Sequence, residues 1–532
     1  MRRARALIAL LIALWGAPLA AREAVDASAP QKVAVTIYRD PEGGTFDRNV
    51  PRGFAMISET RTVTLPAGES TIRFTGVADG MIGVSAIVSG LPGGTIEQNR
   101  NAALLSPAAL VDGTLGNRVT ITRTDPATGK ESSEQAVVRT RADGGVVLQT
   151  AQGFEAVRCS GLPERLSFGR VPAGLSPEPV FTIDTRDATG GTYTVTLTYL
   201  SWGFDWQAHY VATLAHGNAA GRKELRMLSW LTLVNDNGQS FADAELLVVA
   251  GKLSVESDFE TLSAPPRAEP LQLACWPIGS TAAGSYPEVY PFPLSAPPPP
   301  MSAEAIMVTA ARMQEADMEK QASVAFLAGE ENLGDLKLYR VPESISVNAK
   351  GLKQVAFLEK DKVRGDLVYE AQCALFREFD EDLAIEPVGL IFRTQNKERS
   401  GLGVALPRGG VTVFEPSPAG ELLIGEDDLR DYAVGEEVEI GLGQSTRVFQ
   451  QCAFTGAGEE ASSDTKAWRE VRATISNSGS DSARVELVIG SAAEWQVRRT
   501  RGLILRKGQQ VIAVTAKPGE VTELRFWVRP AA

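Results

Sequence analysis

Apolar and polar residues alternate along residues 192–214, and this pattern predicts a β-strand. Tyr193, Val195, Leu197 and Tyr199 alternate with threonines. A period of two places one set of side chains on a core face and the other towards solvent. The stretch therefore predicts one arm of an antiparallel sheet.

The residues that follow predict the strands that pair with this arm. A Gly- and Asn-rich break at 216–221 turns the chain, and residues 225–234 return with apolar side chains on both faces, as in a central strand. The run Asn-Asp-Asn-Gly at 235–238 tolerates positive φ and predicts a tight turn. A further strand is expected at 244–253.

Short alternating runs separated by turn residues recur along most of the chain, and an exposed loop is expected at 43–53. The predicted strands include 32–38, 118–124, 336–340, 345–347, 354–360, 362–370 and 469–477. We therefore predict a mainly β, multidomain protein of sandwich-like or barrel-like modules. The predicted parts are a signal peptide (1–21), an N-terminal β-domain (33–98), a small barrel-like β-module (102–175), a central β-domain in two segments (180–262 and 322–460), a Pro-rich insert with a short helix (263–321) and a C-terminal immunoglobulin-like sandwich (465–530).

The N-terminus has the layout of a secretory signal peptide. Three arginines precede an apolar run at 6–15, and small residues follow, which predicts cleavage near Ala21. No later segment reaches the ~20 apolar residues that a transmembrane helix needs. We expect a periplasmic or secreted protein without a transmembrane span in the mature chain.

The net charge and the positions of the cysteines further limit the kinds of binding site that the sequence supports. The formal charge is −12, or −15 once Arg2, Arg3 and Arg5 are removed, and we expect no cluster of Lys and Arg and no nucleic-acid binding. The cysteines at 159, 275, 373 and 452 are far apart, without a Cys-x-x-Cys motif, which gives no support to a zinc site. Three disulfide pairings and isolated thiols all stay open.

Several motifs in the second half of the chain resemble one family. They are Trp206-x-x-x-Tyr210, Val234-Asn235 with Gly238, Tyr339-Arg340-Val341-Pro342, Lys353-Gln354-Val355, and Asn396 with Gly401-Leu402-Gly403-Val404-Ala405-Leu406-Pro407 and Gly410-Val411. Over roughly 192–532 the chain resembles the domain-of-unknown-function family 4139, which includes mucoidy-inhibitor-A-like proteins of bacterial envelopes. Leu65-Pro66-Ala67-Gly68 and Phe74-Thr75-Gly76-Val77 look like the N-terminal β-domain that accompanies it.

The chain also departs from that family's pattern. Gly238-Gln239-Ser240-Phe241 stands where the family usually has Gly-Glu-Asp-Trp, and the long coiled-coil insert of many relatives is missing. The resemblance implies an envelope setting without an established mechanism. Roles that depend on those acidic residues or on that helix are not implied here.

The candidate binding residues lie in the alternating stretch. Trp202, Phe204 and Trp206 are close enough in sequence to form a carbohydrate-stacking platform, with Tyr210 and Asn235 nearby. Sheet cores use aromatic residues in the same way, and core packing is the competing interpretation.

The sequence gives weaker evidence for a catalytic or metal site than for a binding surface. His209 with Asp205 suggests a Ser-His-Asp site, but no Gly-x-Ser-x-Gly motif accompanies them. The acidic runs at 426–428 with Asp431 and at 380–382 with Glu386 are either weak Ca²⁺ sites or solvated loops. We predict no catalytic residue, metal or cofactor.

The favoured hypothesis is a non-enzymatic binding or scaffolding protein of the bacterial envelope, with an envelope protein or glycan as its partner. The alternative is an extracytoplasmic hydrolase that acts on glycans through dispersed carboxylates. Paired acids ~5 to 10 Å apart across a cleft perform such chemistry, and sequence alone does not exclude them.

Overall fold

The computed structural model of the protein describes residues 22–531, with gaps at 42, 102–103, 126, 143–144, 158–163, 173–174, 216–221, 252, 254–327, 334–335, 374, 376–383, 456–466 and 499. The predicted signal peptide and the whole Pro-rich insert lie outside the described residues. So do Cys159, Cys275 and the acidic run at 380–382. The described chain is mainly β, at 64% strand and 4% helix, as predicted.

The strands of the N-terminal part are β1 (Glu23–Asp26), β2 (Lys32–Tyr38), β3 (Gly53–Leu65), β4 (Gly68–Thr75), β5 (Ile87–Ser89), β6 (Glu97–Asn101), β7 (Arg118–Thr124), β8 (Glu131–Val138), β9 (Val147–Gln149), β10 (Phe154–Ala156), β11 (Glu164–Ser167) and β12 (Val180–Asp187). The α-helix α1 (Pro107–Gly113) lies between β6 and β7.

The strands of the remaining part are β13 (Gly191–Leu214), β14 (Arg222–Asn235), β15 (Phe241–Ala250), β16 (Gly329–Leu333), β17 (Leu336–Arg340), β18 (Ile345–Val347), β19 (Gly351–Gln372), β20 (Glu386–Gln395), β21 (Gly409–Ser417), β22 (Gly420–Leu429), β23 (Glu437–Phe454), β24 (Arg469–Asn477), β25 (Ala483–Ser491), β26 (Trp495–Arg498), β27 (Leu503–Arg506), β28 (Gln509–Ala516) and β29 (Val521–Pro530).

These elements fall into two units. Described residues within 22–32 and 58–201 form the first unit, and those within 33–57, 202–253 and 328–531 form the second. Two long strands, β3 and β13, contribute residues to both.

The first unit contains two complete sheets, and the pairing of β5 with the first half of β13 also lies in it. One has the order β1-β4-β12-β6, and the other is antiparallel in the order β10-β9-β8-β7-β11. The second sheet packs against α1, whose Val111 joins Ile121 and Val138 in one core. Ser106 caps this helix, because its hydroxyl accepts a hydrogen bond from Ala109 N at 3.1 Å. The sequence predicts a barrel-like module here, but among the described residues β10 and β11 do not pair with each other.

A buried ion pair lies in the core of the first unit. Glu59 and Arg61 point inward from β3, and Arg61 Nη2 lies 2.6 Å from Glu59 Oε2. The Tyr199 hydroxyl donates to the other Glu59 oxygen at 3.0 Å, and Arg61 Nη1 donates to Thr75 O at 2.9 Å. Both charges are therefore compensated inside an otherwise apolar core.

The second unit is organised around adjacent long strands. β14 lies between β13 and β19, antiparallel to both, so its predicted central position is confirmed. β13 also pairs in parallel with β21. Beyond β19, the sheet continues through β20 to β23.

The C-terminal strands form two sheets around one core. In one, β23, β24, β29 and β26 are antiparallel neighbours. In the other, β25 pairs in parallel with β19 and antiparallel with β28, which pairs with β27. A disulfide joins Cys373, directly after β19, to Cys452 on β23, so of the pairings left open by sequence this one is formed. It covalently ties the end of β19 to β23.

Two predicted local structures are wrong. We expected separate strands at 354–360 and 362–370, but β19 continues through the charged residues between them. β14 stays paired with β19 across this stretch by means of a register shift, and Arg226 of β14 pairs with Glu359 at 3.2 Å. The acidic run at 426–428 was expected as a loop or calcium site. It lies in β22, antiparallel to β21, where Asp427 accepts a hydrogen bond from Gly441 N.

The Glu59–Arg61 pair gives a direct test of the first unit. Glu59→Ala should lower its free energy of unfolding by about 3–5 kcal/mol, because it leaves a buried guanidinium without its counter-charge. Urea unfolding followed by circular dichroism measures this change. The control is Glu131→Ala, since Glu131 is 55% exposed in its side chain. A loss below about 1 kcal/mol for Glu59→Ala would contradict the assigned geometry.

Candidate functional site

Residues from several of the motifs quoted above meet in the second unit. The rings of Trp206 and Tyr210 on β13 are completely buried. The Tyr210 hydroxyl donates to Pro407 O at 2.6 Å, and the Tyr339 hydroxyl donates to Ala405 O at 3.3 Å. Both tyrosine rings contact Phe357 edge-on, at centroid distances of 6.1 and 5.4 Å. Strands far apart in sequence are thus fixed to the 401–407 segment.

An arginine that the sequence analysis does not identify lies over Trp206. Arg39 follows β2, and its guanidinium carbon is 4.4 Å from the centre of the indole ring. Arg39 Nη1 donates to Asp431 Oδ1 at 3.3 Å. Its Nε and Nη2 atoms are buried without a hydrogen-bond partner in the part of the chain that the structure describes. A cation stacked on an indole gains from the ring's quadrupole, more so when water is excluded.

Asp205 is the titratable group of this site. Its Oδ1 accepts hydrogen bonds from Trp206 N at 2.8 Å and from Asp40 N at 3.2 Å. The pKa of Asp205 is raised from 3.8 to about 6, mainly by burial and to a smaller extent by the nearby Asp40, while the two amide hydrogen bonds and Arg39 act to lower it. We call Arg39, Asp40, Asp205, Trp206 and Asp431 the Arg39 cluster.

Arg408 fastens a surface loop beside this cluster. Its guanidinium donates to Gly43 O and Gly44 O, at 2.6 Å each, and its backbone N–H donates to Asp431 Oδ1 at 2.8 Å. The loop between β2 and β3 is mostly exposed, as the sequence predicts. At its end, a side chain on Gly53 would place Cβ 2.4 Å from Tyr38 O and 2.7 Å from Phe204 O, which explains the glycine.

No protein-family model and no curated protein matches the chain. Membership of the family that the motifs resemble is therefore a proposal. Residues of several of those motifs nevertheless meet in one structural network, through the contacts of Tyr210 and Tyr339 with Ala405 and Pro407.

Two glycines, Gly401 in the resembling motifs and Gly409 beside them, also have structural explanations. Gly401 has φ +94°, and a Cβ there would lie 1.9 Å from Lys362 O. Gly409, just after Pro407 and Arg408, would place a Cβ 1.9 Å from Ala208 O, where β21 pairs with β13. Close backbone approach thus requires glycine at both positions.

The predicted binding residues are mostly in the core. Phe204, Trp206, Tyr210 and Asn235 are buried, whereas Trp202 is half-buried. Trp206 Nε1 donates to Val249 O at 3.1 Å, inside the sheet. Core packing, the competing interpretation, is the arrangement that the structure shows for these side chains. They form no exposed stacking platform.

Asn235 is one of three buried asparagines that make the same kind of hydrogen bonds at strand ends. Three buried asparagines, each at or just after the end of a strand, use both side-chain functions on backbone atoms. Their amide groups donate to pairs of carbonyls: Asn235 to Gln239 and Asn348, Asn396 to Val404 and Ala433, Asn477 to Asp481 and Ala516. Their oxygens accept from the N–H groups of Asn237, Gly403 and Gly479. These residues stabilise turns, as asparagine commonly does.

The remaining candidates add no reaction centre. His209 is half-buried between the buried Ala208 and Tyr210, because successive residues of β13 point to opposite faces of the sheet. Within the described ranges, no group of three or more His, Cys, Asp or Glu side chains is placed to hold a metal ion. No helix in the described part of the chain is long and apolar enough to cross a membrane.

The raised pKa of Asp205 predicts a pH-dependent stability. A folded-state pKa of about 6, against 3.8 unfolded, means that the charged carboxylate destabilises the fold above pH 6 and that this cost disappears below pH 4. Asp205→Asn keeps the acceptor oxygen and removes the charge. It should stabilise the second unit by up to about 3 kcal/mol at neutral pH, and by little near pH 4.

Urea unfolding across that pH range measures the difference. Asp361→Asn is the matched control, because the Asp361 side chain is 73% exposed. A variant that is less stable than the wild type at neutral pH would show that the Asp205 charge is needed by Arg39.

Proposed function

We propose that the chain is an extracytoplasmic binding or scaffolding protein of the bacterial cell envelope. The observation that carries this proposal is how the resembling motifs use their polar atoms. The hydroxyls of Tyr210 and Tyr339 and the amide of Asn396 are all hydrogen-bonded to backbone carbonyls in the 404–407 and 433 segments. Groups that are committed to backbone atoms in a core hold a scaffold together and are not presented to a substrate.

The setting in the envelope rests on the sequence. The N-terminal arginines and apolar run support export, and the motif resemblance supports the envelope. The partner is proposed to be an envelope protein or glycan that contacts the exposed faces of the sheets. The disulfide between Cys373 and Cys452 is compatible with an oxidising compartment.

The proposal predicts that the full chain, purified from its host's envelope under native conditions, retains a stoichiometric partner. Asp205→Asn should retain the same partner, because Asp205 is buried in the core and is not exposed at the surface that a partner would contact. Co-purification with mass spectrometry measures this.

Incubation of the same protein with envelope glycans separates binding from hydrolysis. We expect any bound glycan to be recovered intact. Cleavage that scales with protein concentration would contradict the binding proposal and support the glycan hydrolase instead.

A further inference from the structure

Two exposed strands of the second unit lie in stretches of the chain that have opposite net charge. Residues 409–436, which include β22, contain seven Asp and Glu and a single Arg. Residues 467–531, which include β27, contain eleven Arg and Lys and six Asp and Glu, in a chain whose formal charge is −12. Five of those cations lie within 498–507, which corrects the expectation that the chain has no cluster of Lys and Arg. Two of the five, Arg506 and Lys507, are paired with Glu437 and Glu439 of β23, whereas Arg501 is exposed.

Both strands also expose apolar side chains. On β22, Leu422 and Leu423 are 51% and 56% exposed. On β27, Leu503, Ile504 and Leu505 are 37%, 39% and 69% exposed. Consecutive exposed apolar residues on a strand are unusual in a soluble protein and mark sites of association.

The basic strand is held in place and has a free edge. Among the described residues, β27 pairs with β28 alone. Arg506 Nη1 donates to Glu437 at 2.8 Å, which anchors the end of β27 to β23. The exposed Arg501 lies just before its other end. An edge strand of this kind presents unpaired backbone groups to an incoming strand.

The acidic strand has the complementary character. β22 is antiparallel to β21, and its first half, with the exposed Glu421 beside the two leucines, forms the outer part of that hairpin. Glu415 on β21 lies opposite Leu422. An extended, apolar and acidic edge therefore matches an extended, apolar and basic one.

We propose that β22 of one copy of this chain docks on β27 of a second copy. Leu422 and Leu423 would pack on the apolar side chains of β27, and Glu421 would face Arg501. Because the two patches differ, the contact is head-to-tail, and repetition gives rings or filaments. Like-charge repulsion disfavours β27 against β27 and β22 against β22.

Charge also favours a second copy over a lipid surface. The chain as a whole is acidic, and β22 would be repelled by anionic headgroups. The inference goes beyond the proposed envelope function and is tested without the envelope partner.

Sedimentation velocity of the full chain over a concentration series tests the proposal. We expect the mean mass to rise with concentration at low salt and to fall towards one copy at high salt, since salt screens the charge contact. Arg501→Glu alone and Glu421→Arg alone should each weaken association on the order of tenfold. Leu505→Glu should weaken it as well.

A mixture of the two charge variants tests directly whether β22 of one copy contacts β27 of another. An equimolar mixture of Arg501→Glu and Glu421→Arg should associate again, because each altered edge then meets its complement in the other variant. The controls are Arg165→Glu and Phe154→Glu, at exposed positions of the first unit, which should associate like the wild type. Near-ultraviolet circular dichroism checks that every variant is folded.

Three results would overturn the proposal. The first is a mass of one copy at every concentration in low salt. The second is a mixture that stays dissociated although each variant is folded. The third is a protein that adsorbs to vesicles of anionic lipid while its mass in solution stays that of one copy.

Discussion

The complete burial of Trp206 is the constraint on which the centre of the second unit depends. An indole with no exposure needs a partner for its N–H, and Val249 O supplies it at 3.1 Å. Its ring face is covered by Arg39, so a charged group enters the core along with it. Asp431 pairs with that charge, and Arg408 ties the loop beyond Arg39 to the same carboxylate. Each of these polar or charged groups around the tryptophan is thus stabilised by a hydrogen bond, a ring contact or an ion pair with the next.

The residues of the family-like motifs therefore stabilise the fold. The tyrosine hydroxyls and asparagine amides of these motifs donate hydrogen bonds to backbone carbonyls of irregular segments. Without these bonds the buried carbonyls would lack a partner. Glycines stand where two backbones approach too closely for a side chain. A pattern of this kind can persist in proteins with different partners, because it fixes a scaffold whose exposed strands remain open to change.

Sequence pattern predicts the regular part of this structure well. β2, β7, β17, β18 and β24 have the predicted bounds, because short alternating runs there are flanked by turn residues. The acidic β22 and the continuous β19 were missed, since pairing with neighbouring strands overrides local composition. The Arg39 cluster was missed for a different reason: its contact with Trp206 joins residues far apart in sequence, and no local pattern encodes it. Of the predicted aromatic site, only the core-packing alternative describes what the rings do.

Native-state hydrogen exchange tests the central claim most directly. If burial of Trp206 and its polar compensation hold the second unit together, the amides of 206–212, between β14 and β21, should exchange only through unfolding of that unit. Their opening free energies should then equal its free energy of unfolding and shift with Asp205→Asn. Exchange of these amides as fast as that of the exposed 44–52 loop would contradict the account.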